Sequence, residues 1–174
     1  GVYTFFDETA TIPEIAHILV GSSKKERTIT MVEGWSVRDI AESLREQQVI
    51  SSEDIDLFAG SDMLQNFKIQ FSFLNGIPQS AGFEGYLFPD TYRIYADSTP
   101  EEIIEKMLEN FDRKMSRDLR EEIARQKKTM FEIVTMASLI EKEVVSEADR
   151  GLVSGVLWKR LQIGMPLQVD ATIV

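Results

Sequence analysis

Two glutamates near the end of one predicted helix could perform acid–base chemistry. Residues 129–145 read TMFEIVTMASLIEKEVV, and Glu141 and Glu143 follow a stripe of apolar residues at helical spacing. At about 100° per residue, their carboxylates stand roughly 200° apart, one on each flank of the apolar face. Loss of solvent raises the pKa of a carboxylic acid, and a catalytic acid at neutral pH requires such a rise. The pattern does not choose between the two, and a solvated position at the helix rim is the alternative for both.

The helix that carries these glutamates has a clear start signal. Thr129 is the predicted N-cap, and Glu132 three residues later can accept a hydrogen bond from the Thr129 amide, which makes a capping box. The residues that recur at helical spacing behind this cap are Met130, Ile133, Met136, Ala137, Ile140 and Val144. The apolar neighbours expected around Glu141 are Val134, Ala137 and Val145, and those around Glu143 are Met136, Leu139 and Ile140.

Composition excludes several classes of function. The 174 residues carry 29 acidic and 19 basic side chains, for a net charge of −10, which argues against a nucleic-acid partner because such a partner requires a basic face. The absence of cysteine excludes disulfides and thiolate metal sites, and the single histidine, His17, cannot build a histidine-rich metal centre. We therefore expect neither a metal nor another cofactor. No apolar run approaches the roughly 20 residues that span a bilayer.

The first half of the chain predicts a small βααβ unit. A strand is expected at 27–32, then a helix at 37–47 that Ser36 caps, then a shorter helix that starts at Ser51 or Ser52 and ends before Gly60. Residues 68–74 alternate apolar and polar side chains, which predicts a second strand. A further strand at 2–6 and a helix at 13–20 are expected to precede the unit.

The second half predicts mainly helices after a turn at 75–79. Thr99 and Pro100 start a helix that runs to about residue 115, Ser116 starts another, and Ser146 caps a last one at 147–162. The residues of the last helix that are expected to face inward are Leu152, Val153, Val156, Leu157 and Leu161. The fold class is therefore α+β. A first module covers residues 1–76, and its first 26 residues are the strand and helix that precede the βααβ unit. A mainly helical domain with a short β element covers residues 77–174.

Residues 83–95, FEGYLFPDTYRIY, are dense in aromatic side chains and contain the acids Glu84 and Asp90. Aromatic rings with a few convergent polar groups often line a sugar cleft, because rings cover the apolar faces of pyranoses and carboxylates accept hydroxyl protons. The alternative is an aromatic core loop in which Asp90 is a turn residue. The pattern alone favours this second interpretation.

Several stretches resemble known families. The βααβ pattern with MVEGWSVRDIAESL at 31–44 resembles a LysM-like module, which is associated with N-acetylglucosamine-containing glycans, although a purely structural subdomain fits equally. EGYLFPDTY at 84–92, ASLIEKE at 137–143 and RLQIGMPLQVDAT at 160–172 together resemble the YceG-like endolytic murein transglycosylases, the MltG family. The resemblance covers nearly the whole chain. It departs from the family pattern at Lys159, where Asn is common, and at Ala171, where Pro is common.

The resemblance implies cleavage between N-acetylmuramic acid and N-acetylglucosamine inside nascent peptidoglycan strands. It assigns the catalytic role to Glu141, the first Glu of ASLIEKE, whose side chain would act first as an acid and then as a base. The other candidates for binding substrate or supporting Glu141 are Glu84, Asp90, Tyr92, Glu143, Arg160, Gln168 and Asp170. The expected partners are glycan strands and cell-wall synthesis proteins. The chain is expected to lack a membrane anchor and a C-terminal end, and to lie on the extracytoplasmic side of a bacterial membrane.

Two other functions stay open at this point. A non-catalytic glycan-binding or scaffold module of a cell-wall synthesis complex would bind glycan without Glu141 and would cleave nothing. An ordinary hydrolase would use Glu141 as the acid and a second carboxylate, Glu84 or Asp90, to activate water. The hydrolase would leave a reducing end, whereas a lytic transglycosylase leaves a 1,6-anhydro end.

Overall fold

The computed structural model describes residues 25–60, 62–144 and 146–169. Seven α-helices and one two-stranded sheet form the regular structure of these residues, besides two short 3-10 helices. The predicted strand at 2–6, the predicted helix at 13–20, His17 and Asp170 lie outside the described residues. The mixture of helices and a small sheet confirms the α+β class.

The sheet pairs strand β1, Glu26–Thr30, with strand β2, Thr91–Tyr95. The strands are antiparallel, with Ile29 opposite Tyr92 and Thr30 opposite Thr91. Ile29, Tyr92 and Ile94 are buried while their neighbours along each strand are exposed, so one face of the sheet packs on the core. The predicted first strand is thus confirmed. Its partner lies within 77–174, where a short β element was predicted, but neither the position of this element nor its pairing with β1 was predicted.

The predicted strand at 68–74 is wrong. Helix α3, Asp62–Gln70, ends inside this stretch, and a 3-10 helix, Ser72–Leu74, follows it. Four of the buried residues of this part of the chain, Leu64, Phe67, Phe71 and Leu74, follow one another at helical separations of three and four residues, and Met63 and Phe73 beside them are also buried. Ile69 is 90% exposed, so the alternation that suggested a strand does not correspond to a buried face.

Of the two helices between β1 and α3, the first begins at its predicted cap, Ser36, whereas the second has Glu53 at its N-cap and not the predicted Ser51 or Ser52. Helix α1, Val37–Glu46, starts with a capping box in which Ser36 and Asp39 each bond to the other's backbone amide. Helix α2, Asp54–Ala59, is preceded by the same reciprocal pair of bonds between Ser51 and Asp54, and it ends at Gly60. The sequence therefore predicted the start of α1 from capping chemistry and placed the start of α2 one or two residues too early.

Helix α4, Pro100–Lys114, anchors the main core. Thr99 and Glu102 form its capping box, and the apolar face of α4 packs against α1 to α3, the sheet and the aromatic stretch in one cluster. We call residues 25–115 the core region. Its largest fully buried side chains include Phe58, Leu64, Phe83, Tyr86, Ile104, Met107 and Leu108. Helix α5, Arg117–Arg125, follows with no buried residue, and the N-cap is Ser116, as predicted.

Helices α6, Met130–Glu143, and α7, Glu147–Gln162, form what we call the helix pair. Their shared core is small and consists of Met136, Leu157 and Val169. Leu152, Val156 and Leu161 were predicted to face inward, but they are exposed, which corrects the prediction. The physical reason is that, within the described residues, α7 packs mainly on α6, which covers only one side of it.

The division into modules at residue 76 stays a prediction. The strand pairing of β1 with β2 and the main core both extend across this position. Within the ranges that the structure describes, no helix is both long and apolar enough to cross a lipid bilayer.

Candidate active site

One open cavity of about 540 Å³ brings together three separate stretches of the chain. The first is the loop and helix start at 32–40. The second is the segment at 80–89, which overlaps the aromatic stretch at 83–95, and the third is helix α6 from Phe131 to Lys142. Two carboxylates line this cavity, Glu84 from the second stretch and Glu141 from the third. Ser80, Thr135 and Ser138 add hydroxyl groups, and Lys142 adds a positive charge.

Glu141 lies in the last turn of α6, in the helix that its capping box predicted. Its side chain is exposed, and of its predicted apolar neighbours Val134 is half-buried and Ala137 is exposed. Of the two settings that the sequence left open for Glu141, the structure shows the solvent-exposed helix rim. Glu143 is also exposed, but it does not line the cavity. The cavity thus separates the two glutamates that the helical pattern left equivalent.

Glu84 joins the second stretch to the first. Its Oε1 atom accepts a hydrogen bond of 3.1 Å from the backbone N–H of Val37, in the first turn of α1. Partial burial of the carboxyl group raises the pKa of Glu84, while the Val37 bond and the charge of Lys142 oppose this rise and the charge of Asp39 adds to it. Glu84 therefore holds a proton more strongly than an ordinary glutamate.

Two buried aromatic residues hold the segment that carries Glu84. Phe83 and Tyr86 are each 1% exposed, so the segment is fixed to the core on both sides of Glu84. Burial raises the pKa of Tyr86 to about 12, which keeps its hydroxyl neutral. Gly85 between them has a φ of +81°, and a Cβ atom added there would lie 2.5 Å from Cγ1 of Val134 on α6. Glycine thus allows this close approach between the core region and the helix pair.

The aromatic stretch is mainly a core element. Phe83, Tyr86 and Tyr92 are buried, as the second interpretation of the sequence held. Asp90 accepts hydrogen bonds from the backbone N–H of Thr91 and from Nδ2 of Asn110, and these bonds lower the pKa of Asp90. Asp90 is therefore a turn residue at the start of β2.

Tyr92 belongs to the same network. Its hydroxyl donates to the carbonyl of Phe88 and accepts a bond of 3.0 Å from Nδ2 of Asn110, which is only 4% exposed. Neither Tyr92 nor Asp90 lines the cavity. Their predicted role in the site would thus be indirect, through the shape of the loop that also carries Glu84.

The candidates from the last motif lie apart from the cavity. The guanidinium of Arg160 donates to the carbonyl of Leu167, which fixes the segment after α7. Gln168 is exposed and has a φ of +53°. Neither residue lines the cavity, so their predicted roles in substrate binding stay predictions.

The cavity also contains residues that the sequence did not single out. Trp35 lies directly before the N-cap of α1, and Ser138 and Lys142 lie on the same helix as Glu141. Trp35 was visible only as part of the LysM-like string. A tryptophan beside a cap and outside any apolar stripe is the signal that could have identified it, because such a side chain has no helix face on which to bury.

These features define a mixed α/β protein in which a sheet-containing core and a pair of helices share an open cleft with two carboxylates. The chain belongs to the YceG-like family, whose family model matches residues 1–174.

Proteins similar to this chain carry a consistent name. This chain is 33% identical over 159 residues to the endolytic murein transglycosylase of Streptococcus pneumoniae serotype 2 strain D39. The match covers 84% of this chain and 29% of that protein. It is 31% identical over 160 residues to the endolytic murein transglycosylase of Bacillus subtilis strain 168, covering 84% of this chain and 42% of that protein. The chain thus spans less than half the length of these curated relatives.

The fold also has a solved counterpart. A crystal structure of a YceG-like protein from Listeria monocytogenes matches with a TM-score of 0.71 at 26% sequence identity. The match covers 94% of this chain and 56% of the Listeria chain.

Proposed function

We propose that this chain is part of an endolytic peptidoglycan lytic transglycosylase, and that it cleaves the bond between N-acetylmuramic acid and N-acetylglucosamine within glycan strands. The observation that carries the proposal is the cavity that Glu141 shares with Glu84, Ser138 and Lys142. A cleft with convergent polar groups suits a sugar polymer, and its open form admits the middle of a strand. The names of the relatives give the same class of activity.

Glu141 acts first as the general acid. Its carboxyl proton goes to the glycosidic oxygen, the bond from that oxygen to C1 of the muramoyl residue breaks, and the N-acetylglucosamine side leaves with a free hydroxyl. The Glu141 carboxylate then takes the proton of the muramoyl C6 hydroxyl, and O6 closes onto C1. The product is a 1,6-anhydro end, Glu141 is protonated again, and no water is consumed.

Glu84 supports this reaction from the same cavity. Because its carboxyl already accepts the Val37 N–H, it is oriented by the backbone and not free to approach the substrate as a second acid would. We propose that it fixes the loop at 32–37 against the aromatic stretch and so sets the width of the cleft. Asp90, Tyr92, Arg160, Gln168 and Asp170 are proposed only as structural support for the surrounding loops.

Mass spectrometry of purified glycan strands tests the proposal. Wild type should release internal fragments with 1,6-anhydro ends, and Glu141→Gln should release none. Glu143→Gln is the matched control, since it makes the same change two residues away on a side chain outside the cavity, and it should still cleave. Fragments from Glu141→Gln, or loss of cleavage only in Glu143→Gln, would reject the assignment of Glu141.

An ordinary hydrolase is the second candidate, because Glu84 lies in the same cavity as Glu141. It needs a second carboxylate that activates water, so its products would carry reducing ends and would be heavier by one water than the anhydro products. A binding module would leave the strands intact while retaining them.

We further propose that the protein acts outside the cytoplasmic membrane, where its polymeric substrate lies. An anchor and partners from cell-wall synthesis would hold it near the strands as they are made. Fractionation of cells that express the whole protein, with cross-linking to neighbouring proteins, tests this location.

A further inference from the structure

The side chain of Trp35 lines the cavity and stays partly open to solvent. It is 36% exposed and belongs to neither of the two hydrophobic clusters of the described residues. Among the described aromatic residues, Tyr95 is the other exposed one, and it lies outside the cavity that Trp35 lines. Exposure of a large apolar ring to water is unfavourable, and a ligand that covers the ring within the cleft removes this cost.

The loop around Trp35 is held at both ends. The backbone N–H of Trp35 donates to the carbonyl of Val32 at 3.4 Å, and the next residue, Ser36, forms the capping box of α1. One residue further, the N–H of Val37 bonds to Glu84. The ring is therefore exposed on a fixed backbone and does not owe its position to a loose loop.

We propose that the indole of Trp35 is a stacking platform for a pyranose ring of the glycan strand, in the same cleft in which Glu141 acts; this inference rests on the proposed function. One face of a pyranose carries mainly C–H groups and packs on an aromatic ring, while its hydroxyls need polar partners. The cavity offers both, since Ser138 and Thr135 line it with Trp35. Trp35 thus binds and orients substrate, and Glu141 performs the chemistry.

This assignment gives the first part of the chain a direct role. Trp35 belongs to the segment between β1 and α1, whereas Glu141 lies in α6, more than a hundred residues later. A strand that contacts both is held on two sides of the bond that breaks, and such orientation raises the rate of cleavage.

Binding is measured by calorimetry with uncrosslinked glycan strands in a Glu141→Gln background, which prevents turnover. Trp35→Ala should weaken binding by at least about tenfold, as truncation of a central aromatic residue usually does. Trp35→Phe should recover much of the affinity, because a smaller ring can still stack. Tyr95→Ala is the matched control, since it removes an exposed aromatic ring outside the cavity, and it should bind like the parent.

Fluorescence gives a readout that does not depend on the Ala variant folding. The chain has two tryptophans, Trp35 and Trp158. With Trp158→Phe in the Glu141→Gln background, glycan should shift the emission of Trp35 to shorter wavelength and saturate at the affinity seen by calorimetry. With Trp35→Phe instead, the emission of Trp158 should not change.

The outcomes separate this inference from the proposed function. The platform is rejected, while the proposed function stands, if wild type produces anhydro ends and Trp35→Ala does so with unchanged KM and kcat. The platform is also rejected if glycan leaves the emission of Trp35 unchanged. If glycan neither binds to the Glu141→Gln protein nor is cleaved by wild type, both are rejected. A rise in KM with Trp35→Ala and partial rescue by Trp35→Phe support the platform.

Discussion

Helices α4 and α7 are similar in length, with 15 and 16 residues, but they differ sharply in burial. Helix α4 belongs to the core region and buries Ile103, Ile104, Met107, Leu108 and Phe111. Helix α7 belongs to the helix pair and buries only Leu157. An amphipathic pattern therefore tells which face a helix can bury, but burial also requires a neighbour that covers that face.

The difference matters for function because the cleft lies between the two regions. Glu84 and Trp35 belong to the core region, whereas Glu141 lies at the end of α6. The first turns of α6 pack against the main cluster through Met130, Phe131 and Val134, and its later turns rely on the small core of the helix pair. Local stability follows the number of buried apolar contacts, so the helix pair should open more readily than the core region. The distance between Glu84 and Glu141 thus depends on the less stable side.

Leu108→Ala and Leu152→Ala test this contrast with the same chemical change. Leu108 is 0% exposed, so its truncation leaves a cavity and should lower the free energy of unfolding by roughly 2–5 kcal/mol. Leu152 is 72% exposed, so its truncation should change that free energy by less than about 0.5 kcal/mol. Urea unfolding followed by circular dichroism gives both values.

Equal losses in the two variants would contradict the contrast between the regions. A large loss only in Leu152→Ala would mean that the exposed face of α7 is covered in solution.

Gly85→Ala tests the contact between the regions. A methyl group there meets Cγ1 of Val134 at 2.5 Å and forces a non-glycine residue to a φ of +81°. The strain and the overlap should together lower the free energy of unfolding by roughly 1–3 kcal/mol. They should also displace α6, and with it Glu141. The rate of glycan cleavage should therefore fall further in Gly85→Ala than in Leu152→Ala.

A double-mutant cycle isolates the overlap from the backbone strain. If the overlap contributes, Gly85→Ala should cost less in a Val134→Ala background than in wild type. Equal costs in both backgrounds would leave backbone strain as the whole effect and would contradict a tight contact at this point.

The sequence predicted those features that are set by local chemistry. The Ser36 cap and the capping pair Thr129 with Glu132 predicted the starts of α1 and α6 before any packing was known, and the structure adds Asp39 as the partner of Ser36. The strand β2 was missed because its partner β1 lies about sixty residues earlier, and Pro89 and Asp90 before it suggested a loop. Pairing over such a distance leaves no local signal.

The candidate site shows the same limit. The helical pattern placed Glu141 on a helix but could not separate it from Glu143, since only the cavity distinguishes the two side chains. Glu84 was found through its motif, whereas its bond to Val37 depends on the packing of two distant segments. Trp35 was missed as an individual residue because exposure within a cleft is a property of the folded chain.

Glu84→Gln should change stability by a small amount that grows as pH rises. Burial raises the pKa of Glu84 in the folded chain, so ionisation of this group lowers the free energy of unfolding. The loss appears as the pH rises from the ordinary pKa of glutamate, near 4.5, through the higher pKa of Glu84 in the folded chain. A glutamine keeps the acceptor for the Val37 N–H but cannot ionise. The variant should therefore gain stability relative to wild type between pH 4 and pH 7, by less than about 1 kcal/mol because the side chain is partly exposed.

Unfolding free energies of both proteins at the two pH values check this result. A difference between the proteins that stays constant with pH, or that grows toward acid, would contradict the raised pKa. It would mean that the Val37 bond and the Lys142 charge outweigh the lost solvent, and that Glu84 is an ionised clamp between α1 and the aromatic stretch. If the expected sign is found, Glu84 of the core region retains its proton within the cavity that Glu141 of the helix pair also lines.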